Sequence, residues 1–300
     1  MKSRPVFILL PNAFLGCALA ACSGLTLPSS SPAAAPAARP RTGSAALNHP
    51  IGLAEDKGGN LYVANAGSSQ ILVYDSKNQQ VPSKTITAGV DQPADLCFDK
   101  SGNLYASERS SNEVTVYSPA GKLIKTLDTD DSTGFSPSGV QIDSAGDVWV
   151  ANRNNTNYDE GEVQVFDSSG KVIHSSSQEL DYPLGIVFEG SDAWVFDSGA
   201  DAITVFDSSA KVVKVISISG IAPEYAAKDS AGDLYVTDAS SSSIGILSSS
   251  GKVLKTTQNK GLDNPTGIAF NKAGDFYVAN EDNDTITEYS AKGDLIDTIQ

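Results

Sequence analysis

Six polar residues recur along the chain, each directly after a short apolar run that reads as a β-strand. They are Asn65, Glu108, Asn152, Asp197, Asp238 and Asn280. Carboxylate and amide oxygens are the ligands that hard cations such as Ca²⁺ and Mg²⁺ prefer. If these side chains converge, they form a ring of oxygen ligands for a cation or a polar substrate. The alternative is that each caps the following loop through a local side-chain-to-backbone hydrogen bond.

A binding site should break the repetition, and two places do so. Six Pro-x-Gly-like segments occur, and Asp95 and Tyr225 take the Gly position in two of them, with Glu224 before Tyr225. Glu108 stands where other copies have Asn or Asp, Arg109 follows it, and Arg153 opens a long polar loop. The alternative interpretation is neutral variation at a tolerant rim. The predicted binding residues are Asp95, Glu108, Arg109, Arg153, Glu224 and Tyr225.

Groups for nucleophilic or histidine-based catalysis are scarce. The two histidines are His49, before the first repeat, and His174, in a predicted outer strand. Neither is expected to reach a shared site, which disfavours a Ser-His-Asp triad, a Cys-His pair and a His-rich zinc site. Cys97 lies in an apolar run without a disulfide partner, and we expect it to be a buried hydrophobic side chain rather than a nucleophile.

The elements that must position these residues come from one repeated unit. Copies begin at Pro50, Pro93, Pro137, Pro183, Pro223 and Pro265, with spacings of 43, 44, 46, 40 and 42 residues. Each unit reads as four short apolar runs joined by turns such as the Asp-x-x-Gly-Asn turn at 99–103. Four strands repeated with this period are the signature of a β-propeller blade. The sequence therefore predicts an all-β fold, a six-bladed β-propeller of four-stranded antiparallel blades.

Repeated large residues should fill the layers between blades, because a single blade cannot bury both of its faces. On the second strands these are Tyr62, Tyr105, Trp149, Trp194, Tyr235 and Tyr277. On the third strands they are Tyr74, Tyr117, Phe166, Phe206, Leu247 and Tyr289.

The motifs Pro-x-Gly-Ile, Asp-x-x-Gly-Asn-Leu-Tyr-Val-Ala-Asn and Ile-x-Val-[Tyr/Phe]-Asp-x-x-Gly-Lys resemble those of NHL-repeat propellers, within the wider group of gluconolactonase-like folds. The resemblance covers residues 50–300 and is specific for fold rather than function. Gluconolactonase-like enzymes imply a divalent metal held by a Glu from an early Glu-Gly-Pro element plus later Asn and Asp. The chain offers Asn65, Asn152, Asp197, Asp238 and Asn280 but has no Glu-Gly-Pro. Streptogramin-lyase-type propellers imply a catalytic His, which His49 and His174 are not placed to supply.

Strand alternation divides the loops between two faces of the predicted disc. The turns that connect the first strand to the second, and the third strand to the fourth, lie on one face, which we call the turn face. The second-to-third loops and the blade-to-blade connections lie on the other, the crossover face, which has the longer segments 128–136 and 153–162. Variable loops on a rigid scaffold usually carry binding. We therefore expect a site on the crossover face, near the axis.

The first 48 residues are predicted to be a targeting and anchoring region. Residues 1–21 combine Lys2 and Arg4 with an interrupted apolar stretch, typical of a signal peptide. The segment Leu19–Cys22 resembles a bacterial lipobox, in which Cys22 becomes lipid-modified; an ordinary secretory signal with a chance cysteine is the alternative. Residues 22–48 are rich in Pro, Ala and Ser, typical of a flexible tether. The propeller then spans 49–300. Ser23 after the cysteine favours the outer membrane or cell surface.

The chain is strongly acidic, with a formal net charge of −15 that becomes −17 once Lys2 and Arg4 are removed. Nucleic-acid binding depends on Lys and Arg meeting phosphates, so nucleic acid is an unfavourable partner. The leading hypothesis is a non-catalytic propeller at the bacterial cell envelope, without a cofactor, that binds a protein, a glycan or a small molecule and meets the membrane through its lipid. The alternative is a metal-dependent hydrolase or lactonase at the axial channel mouth, with Ca²⁺ as one candidate ion.

Overall fold

The structure, a computed structural model, describes residues 45–129, 134–154, 160–176 and 180–300. These residues all belong to one compact unit, Ala38–Gln300. The predicted signal peptide, Cys22 and most of the tether lie outside the described residues, as do parts of the two long loops. Within the described part of the chain, no helix is long and apolar enough to cross a membrane.

Within the described residues, twenty-three strands and two short 3-10 helices follow one another. The first three blades contain β1 (Pro50–Glu55), β2 (Leu61–Asn65), β3 (Gln70–Tyr74); β4 (Pro93–Phe98), β5 (Leu104–Glu108), β6 (Glu113–Tyr117), β7 (Leu123–Asp128); β8 (Phe135–Ile142), β9 (Val148–Asn154), β10 (Gly161–Phe166), β11 (Val172–Ser175). The other three contain β12 (Pro183–Glu189), β13 (Asp192–Asp197), β14 (Ala202–Phe206), β15 (Val212–Ser217); β16 (Ala226–Lys228), β17 (Leu234–Asp238), β18 (Ser243–Leu247), β19 (Val253–Thr257); β20 (Pro265–Phe270), β21 (Phe276–Asn280), β22 (Thr285–Tyr289), β23 (Leu295–Ile299). The 3-10 helices are Ala66–Ser68 and Pro82–Lys84.

The strands form six antiparallel sheets in simple sequential order, which confirms the predicted six-bladed propeller. Blade one has three regular strands, and bridges at Gln80 and Ile86 occupy the fourth position. Pro82 lies between those bridges and starts a 3-10 helix. Because proline lacks a backbone N–H, it interrupts the ladder that a regular fourth strand would make.

Repeated Asp-x-x-Gly turns connect the first two strands of most blades. The Asp56 carboxylate accepts backbone N–H bonds from Gly58 and Asn60 at 2.7 and 2.9 Å, and Asp99 accepts the N–H of Asn103 at 2.8 Å. Gly102 follows with a φ of 85°, which a side chain would disfavour. The repeated turn therefore folds for local reasons, as its composition indicates.

Large side chains fill the layers between blades. The third-strand residues Tyr74, Tyr117, Phe166, Phe206, Leu247 and Tyr289 are all at most 1% exposed, as predicted. Of the six second-strand aromatics, Tyr62, Trp149, Trp194 and Tyr277 are buried, and Tyr105 and Tyr235 are half-buried. Burial of such rings supplies much of the apolar area that holds neighbouring blades together.

The ring closes by side-chain packing between blades six and one, since all four strands of blade six come from its own repeat. Residues 45–48 form no strand, but Leu47 is buried in the apolar layer between those two blades. The Asn78 amide of blade one donates to Glu288 and Asp297 of blade six at 2.7 and 3.0 Å. These contacts join the two ends of the described chain.

Candidate functional site

A cavity of about 530 Å³ occupies the axis of the propeller, and residues from the first strands of all six blades line it. We call it the axial cavity. Lining residues next to the turns, such as Glu55, Phe98 and Lys228, are half-buried. At the opposite end of the first strands, Ile51 and Leu184 are each 2% exposed. The mouth of the axial cavity therefore lies on the turn face.

The sequence predicts a site on the crossover face, because the longer loops lie there. The axial cavity opens on the opposite face, the turn face. The physical reason is the close approach of the first strands near the crossover face. A Cβ atom on Gly52 would lie 2.6 Å from the Ala94 carbonyl oxygen, and one on Gly185 would lie 2.9 Å from the Glu224 carbonyl oxygen. The backbones nearly touch there, so the axis is closed at that end. The lengths of the outer loops carry no information about this packing.

Most of the side chains that line the axial cavity are apolar. Three phenylalanines, in blades two, four and six, each pack edge-on against a second-strand ring of the preceding blade. The pairs are Phe98 with Tyr62, Phe188 with Trp149 and Phe270 with Tyr235, at centroid separations of 5.0, 5.7 and 5.0 Å. These edge-to-face contacts hold the three rings in place at the mouth. The cavity thus has preformed aromatic edges and aliphatic sides.

Few polar side chains line the axial cavity. Glu55, Gln141 and Lys228 lie toward the mouth, and Asp95 lies at the closed end. Lys228 pairs with Glu189 and donates to the Phe188 carbonyl oxygen at 2.5 Å, so its ammonium is already engaged. Burial raises the pKa of Glu55, and the nearby Lys272 charge opposes that rise. The two carboxyl groups are therefore the acidic groups of the lining.

Asp95 is fixed by the backbone at the closed end. Its two carboxylate oxygens accept the N–H groups of Leu96 at 2.9 Å and of Val140, in the next blade, at 3.0 Å. Burial raises its pKa to about 7, against the lowering effect of these bonds and of Arg109. The residue is half-buried and lines the cavity. Asp95 therefore presents a rigid carboxyl group that changes charge near neutral pH.

Tyr225 closes the axis beside Asp95. Its ring is 4% exposed and packs with Ile51 and Leu184 on the crossover side. The Arg109 guanidinium donates to its hydroxyl oxygen at 3.4 Å. Burial raises the pKa of the Tyr225 phenol, and Arg109 opposes that rise. Arg109 does not line the axial cavity, but it supports the closed end from the crossover side.

Glu224 and Arg153 lie on the crossover face, on the other side of the closed end. Glu224 is half-buried, and burial together with the Glu281 charge raises its pKa to about 7, opposed by Arg109 and Arg153. Arg153 donates to the Tyr182 hydroxyl oxygen and stacks 5.0 Å above that ring. The structure therefore brings Arg109, Arg153, Glu224 and Tyr225 into one polar cluster, of which Tyr225 also touches the axial cavity.

The polar residues that end the second strands have a shared role in loop capping. Asn65, Asp197 and Asn280 each accept, at 2.7 to 3.1 Å, the N–H of the residue two positions before a repeat proline. Glu108 accepts the corresponding N–H of Asp91 at 2.8 Å and a bond from Thr115 at 2.7 Å. Glu108 is 0% exposed, because its longer side chain reaches both partners. Burial raises its pKa to about 7.

The remaining two residues of this set behave differently. Asp238 caps its own loop by accepting from Ser240 and from the Ser241 N–H, at 2.7 and 3.1 Å. Asn152 is 0% exposed, and neither atom of its amide group has a hydrogen-bond partner within the described ranges. The first strand of its blade begins earlier, at Phe135, and pairs Pro137 with Asn152. This extended ladder replaces the loop that the other copies cap.

The divalent metal implied by the gluconolactonase-like resemblance does not fit these residues. The oxygens of Asn65, Asp197, Asp238 and Asn280 are directed at their own loops. Across the described part of the chain, no group of three or more His, Cys, Asp or Glu side chains could hold a metal ion.

The histidines and Cys97 are placed apart from one another. His49 lies beside Glu281 of blade six, with Nδ1 3.7 Å from Oε1, and His174 lies on the outer strand β11. Cys97 is 5% exposed and lines the axial cavity, and burial raises the pKa of its thiol. The expectation that Cys97 is buried is confirmed.

Comparison with solved structures confirms the fold. A streptogramin B lyase matches with a TM-score of 0.65 at 15% identity, covering 86% of this chain and 84% of that one. A luciferin-regenerating enzyme matches with a TM-score of 0.64 at 14% identity, covering 83% and 90%. A protein of unknown function from Bacteroides caccae gives a TM-score of 0.64 at 14% identity, covering 80% and 93%. No family model and no curated protein matches the chain. At these identities the likeness concerns the fold alone, and the NHL and lipoprotein assignments stay predictions.

Sequence reasoning did not single out Glu55, Gln141, Lys228 and the three phenylalanines of the mouth. A signal was available at the sixth position of each repeat, counted from its first proline. That position reads Glu55, Phe98, Ile142, Phe188, Lys228 and Phe270, so Phe occurs in every second blade. An alternation of this kind breaks the sixfold repeat as clearly as Asp95 and Tyr225 do.

Proposed function

We propose that this protein is a non-catalytic binding propeller of the bacterial cell envelope that holds a small organic molecule in its axial cavity. The observation that carries the proposal is the 530 Å³ cavity lined by all six blades. Cavities of about 300 to 1,000 Å³ are the usual size for compact organic ligands. A preformed cavity of this kind needs little rearrangement, so less of the binding free energy is spent on ordering.

The composition of the lining supports binding of a ligand rather than of a macromolecule. Ligand sites are mostly apolar with a few fixed polar groups that set orientation. Here Phe98, Phe188 and Phe270 supply apolar edges, and Asp95 supplies a carboxyl group held by two backbone N–H bonds. Because the lining is recessed along the axis behind a single mouth, it is less accessible to a large partner than to a small molecule.

The proposed location at the envelope rests on the N-terminal sequence. Cys22 would carry the lipid, and residues 23–48 would connect the membrane to the propeller. Leu47 and the Asn48 N–H, which bonds to Asn65 at 2.7 Å, fix the end of that connection to blade one. The propeller would then be displayed at the membrane surface on a tether that begins at a defined point.

Ligand-induced thermal stabilisation tests the proposal, because a molecule that binds the folded state raises the melting temperature. A panel of small organic molecules of mixed charge is screened against the wild type and against Ala226→Phe. Ala226 lines the cavity and is half-buried, whereas the five other blades carry Leu, Val or Ile at its position. Position 226 therefore accommodates a larger side chain, and a Phe side chain there should reduce the volume of the axial cavity.

We expect at least one compound to stabilise the wild type and to lose most of that effect with Ala226→Phe. Ala291→Phe is the control, since Ala291 lies in a turn of blade six and is exposed. A panel whose compounds shift the wild type and Ala226→Phe equally, or shift neither, would overturn binding in the axial cavity.

A further inference from the structure

The axial cavity contains two acidic side chains at different depths. Asp95 lies at the closed end, where the Leu96 and Val140 N–H groups orient its carboxylate. Glu55 lies at the mouth, in the neighbouring blade. A ligand that spans the cavity would therefore meet an acidic group at each end.

The cationic groups around the cavity have other partners. Lys228, the basic residue among the described lining residues, pairs with Glu189 and with a backbone carbonyl oxygen. Lys272, near Glu55, donates to the Lys57 carbonyl oxygen. Arg109, near Asp95, lies behind the closed end and donates to Tyr225. These cations moderate the acidic potential, but Lys272 and Arg109 are not among the residues that line the cavity.

The electrostatic field of the whole molecule is negative, as is the charge of the acidic groups in the cavity lining. The chain carries a formal net charge of −15. A cleft with low-dielectric walls focuses such a field and raises the local concentration of oppositely charged ligands. The phenylalanine edges at the mouth leave room for an apolar or aromatic body beside the charge.

From this arrangement we infer that the axial cavity binds an organic cation, namely an amine attached to a compact apolar or aromatic body. The inference rests on the proposed function and specifies the ligand class of the same cavity. Both carboxylates attract the ammonium group, which pairs directly with one of them, and the apolar body lies against the aliphatic wall. An ammonium group beside a carboxylate, in a cavity lined mainly by apolar side chains, gains a charge-assisted hydrogen bond that an alcohol cannot match.

Calorimetric titration with three matched probes tests the inference. The probes are 2-phenylethylamine, 2-phenylethanol and 3-phenylpropionate, which share a ring and a two-carbon chain and differ in charge. The titration is done at pH 8, above the pKa of Asp95 of about 7. We expect the amine to bind at least tenfold more tightly than the alcohol, and the propionate to bind more weakly than the alcohol.

Two isosteric variants assign the preference to named residues. Asp95→Asn and Glu55→Gln should each reduce the affinity for the amine at least threefold and leave the affinity for the alcohol unchanged. Glu55 is at the half-exposed mouth, so Glu55→Gln provides a test even if Asp95→Asn folds poorly. Glu113→Gln removes a charge away from the cavity and should change neither affinity.

The outcomes distinguish failure of the proposed ligand class from failure of the proposal that the cavity binds a ligand. Equal or tighter binding of the alcohol or the propionate overturns the cationic class. If the amine does not bind while other compounds still distinguish the wild type from Ala226→Phe, the class is wrong and the cavity proposal stands. If no compound makes that distinction, both proposals fail.

Discussion

Arg109 and Tyr225 are joined across the axis of the propeller, from blade two to blade five. Nη2 of Arg109 donates to the Tyr225 hydroxyl oxygen at 3.4 Å. In a ring of six, these two blades are opposite each other. The bond therefore connects blades that do not pack as neighbours, at the level where Asp95 and Tyr225 replace the glycines of the other copies.

Removing the Tyr225 hydroxyl should measure how much this hydrogen bond contributes to the stability of the fold. Tyr225→Phe keeps the buried ring and leaves Arg109 without its acceptor, so we expect the free energy of unfolding to fall by about 1 kcal/mol. Urea denaturation measures the change. Tyr105→Phe is the control, because that half-buried ring packs in the apolar layer between blades two and three and not against Arg109. Equal effects of the two substitutions would show that the bond contributes nothing.

Glu108 should make stability depend on pH. Its folded pKa of about 7 lies above the value of about 4.3 that is typical of an unfolded chain. The folded protein thus binds the proton more tightly, and the free energy of unfolding falls as pH rises from about 4 to 7. Glu108→Gln cannot ionise, and its amide can still pair with the Asp91 N–H and with Thr115.

We therefore expect Glu108→Gln to raise the melting temperature relative to the wild type more at pH 8 than at pH 5. At pH 8 the substitution should raise the free energy of unfolding by on the order of a few kcal/mol, since one pKa unit corresponds to about 1.4 kcal/mol. Thermal unfolding at both pH values measures it. The same difference at both values would contradict the assigned burial of the charge.

The closure between blades one and six can be tested at Asn78. This residue has a φ of 59° and is 5% exposed, and its amide donates to Glu288 and Asp297. Asn78→Gly suits the backbone but removes both bonds. We expect a loss of about 1 to 3 kcal/mol, the usual value for hydrogen bonds to charged groups. Chemical denaturation measures it.

Ala210→Gly is the matched control for Asn78→Gly. Ala210 occupies the equivalent turn of blade four, with a φ of 57°. Its substitution relieves the same backbone strain without removing a bond between blades, so stability should change little. If Asn78→Gly is as stable as Ala210→Gly, the hydrogen bonds of Asn78 do not hold the ring closed.

The proposed lipid anchor is tested by Cys22→Ser. Without the thiol no lipid can be attached, so the protein should leave the membrane fraction. Cell fractionation with detection of the propeller measures the distribution. Cys97→Ser is the control and should stay with the membrane. A wild-type protein found mainly in the medium would contradict the anchor.

The sequence predicted the fold well because the same local interactions recur in most copies. The Asp56 and Asp99 turns, the glycines with positive φ and the third-strand rings each act within one blade or between adjacent blades. Repetition shows such interactions several times in one chain. Blade one departs where Pro82 interrupts its fourth strand.

The candidate site was less predictable because it depends on packing around the whole ring. Asp95 and Tyr225 were identified from the broken glycine pattern, and the structure places both at the axial cavity. Glu108 broke the pattern too, yet it is a buried cap with partners in its own blade. The direction in which the cavity opens follows from how closely six first strands approach one another, which no single repeat contains.

Binding in the axial cavity is tested most directly by a crystal structure of the protein with the most stabilising compound of the panel. The account predicts electron density for that compound among the six first strands, within hydrogen-bond distance of Asp95 or Glu55. Density for the compound on the crossover face, beside Arg153 and Glu224, would contradict it.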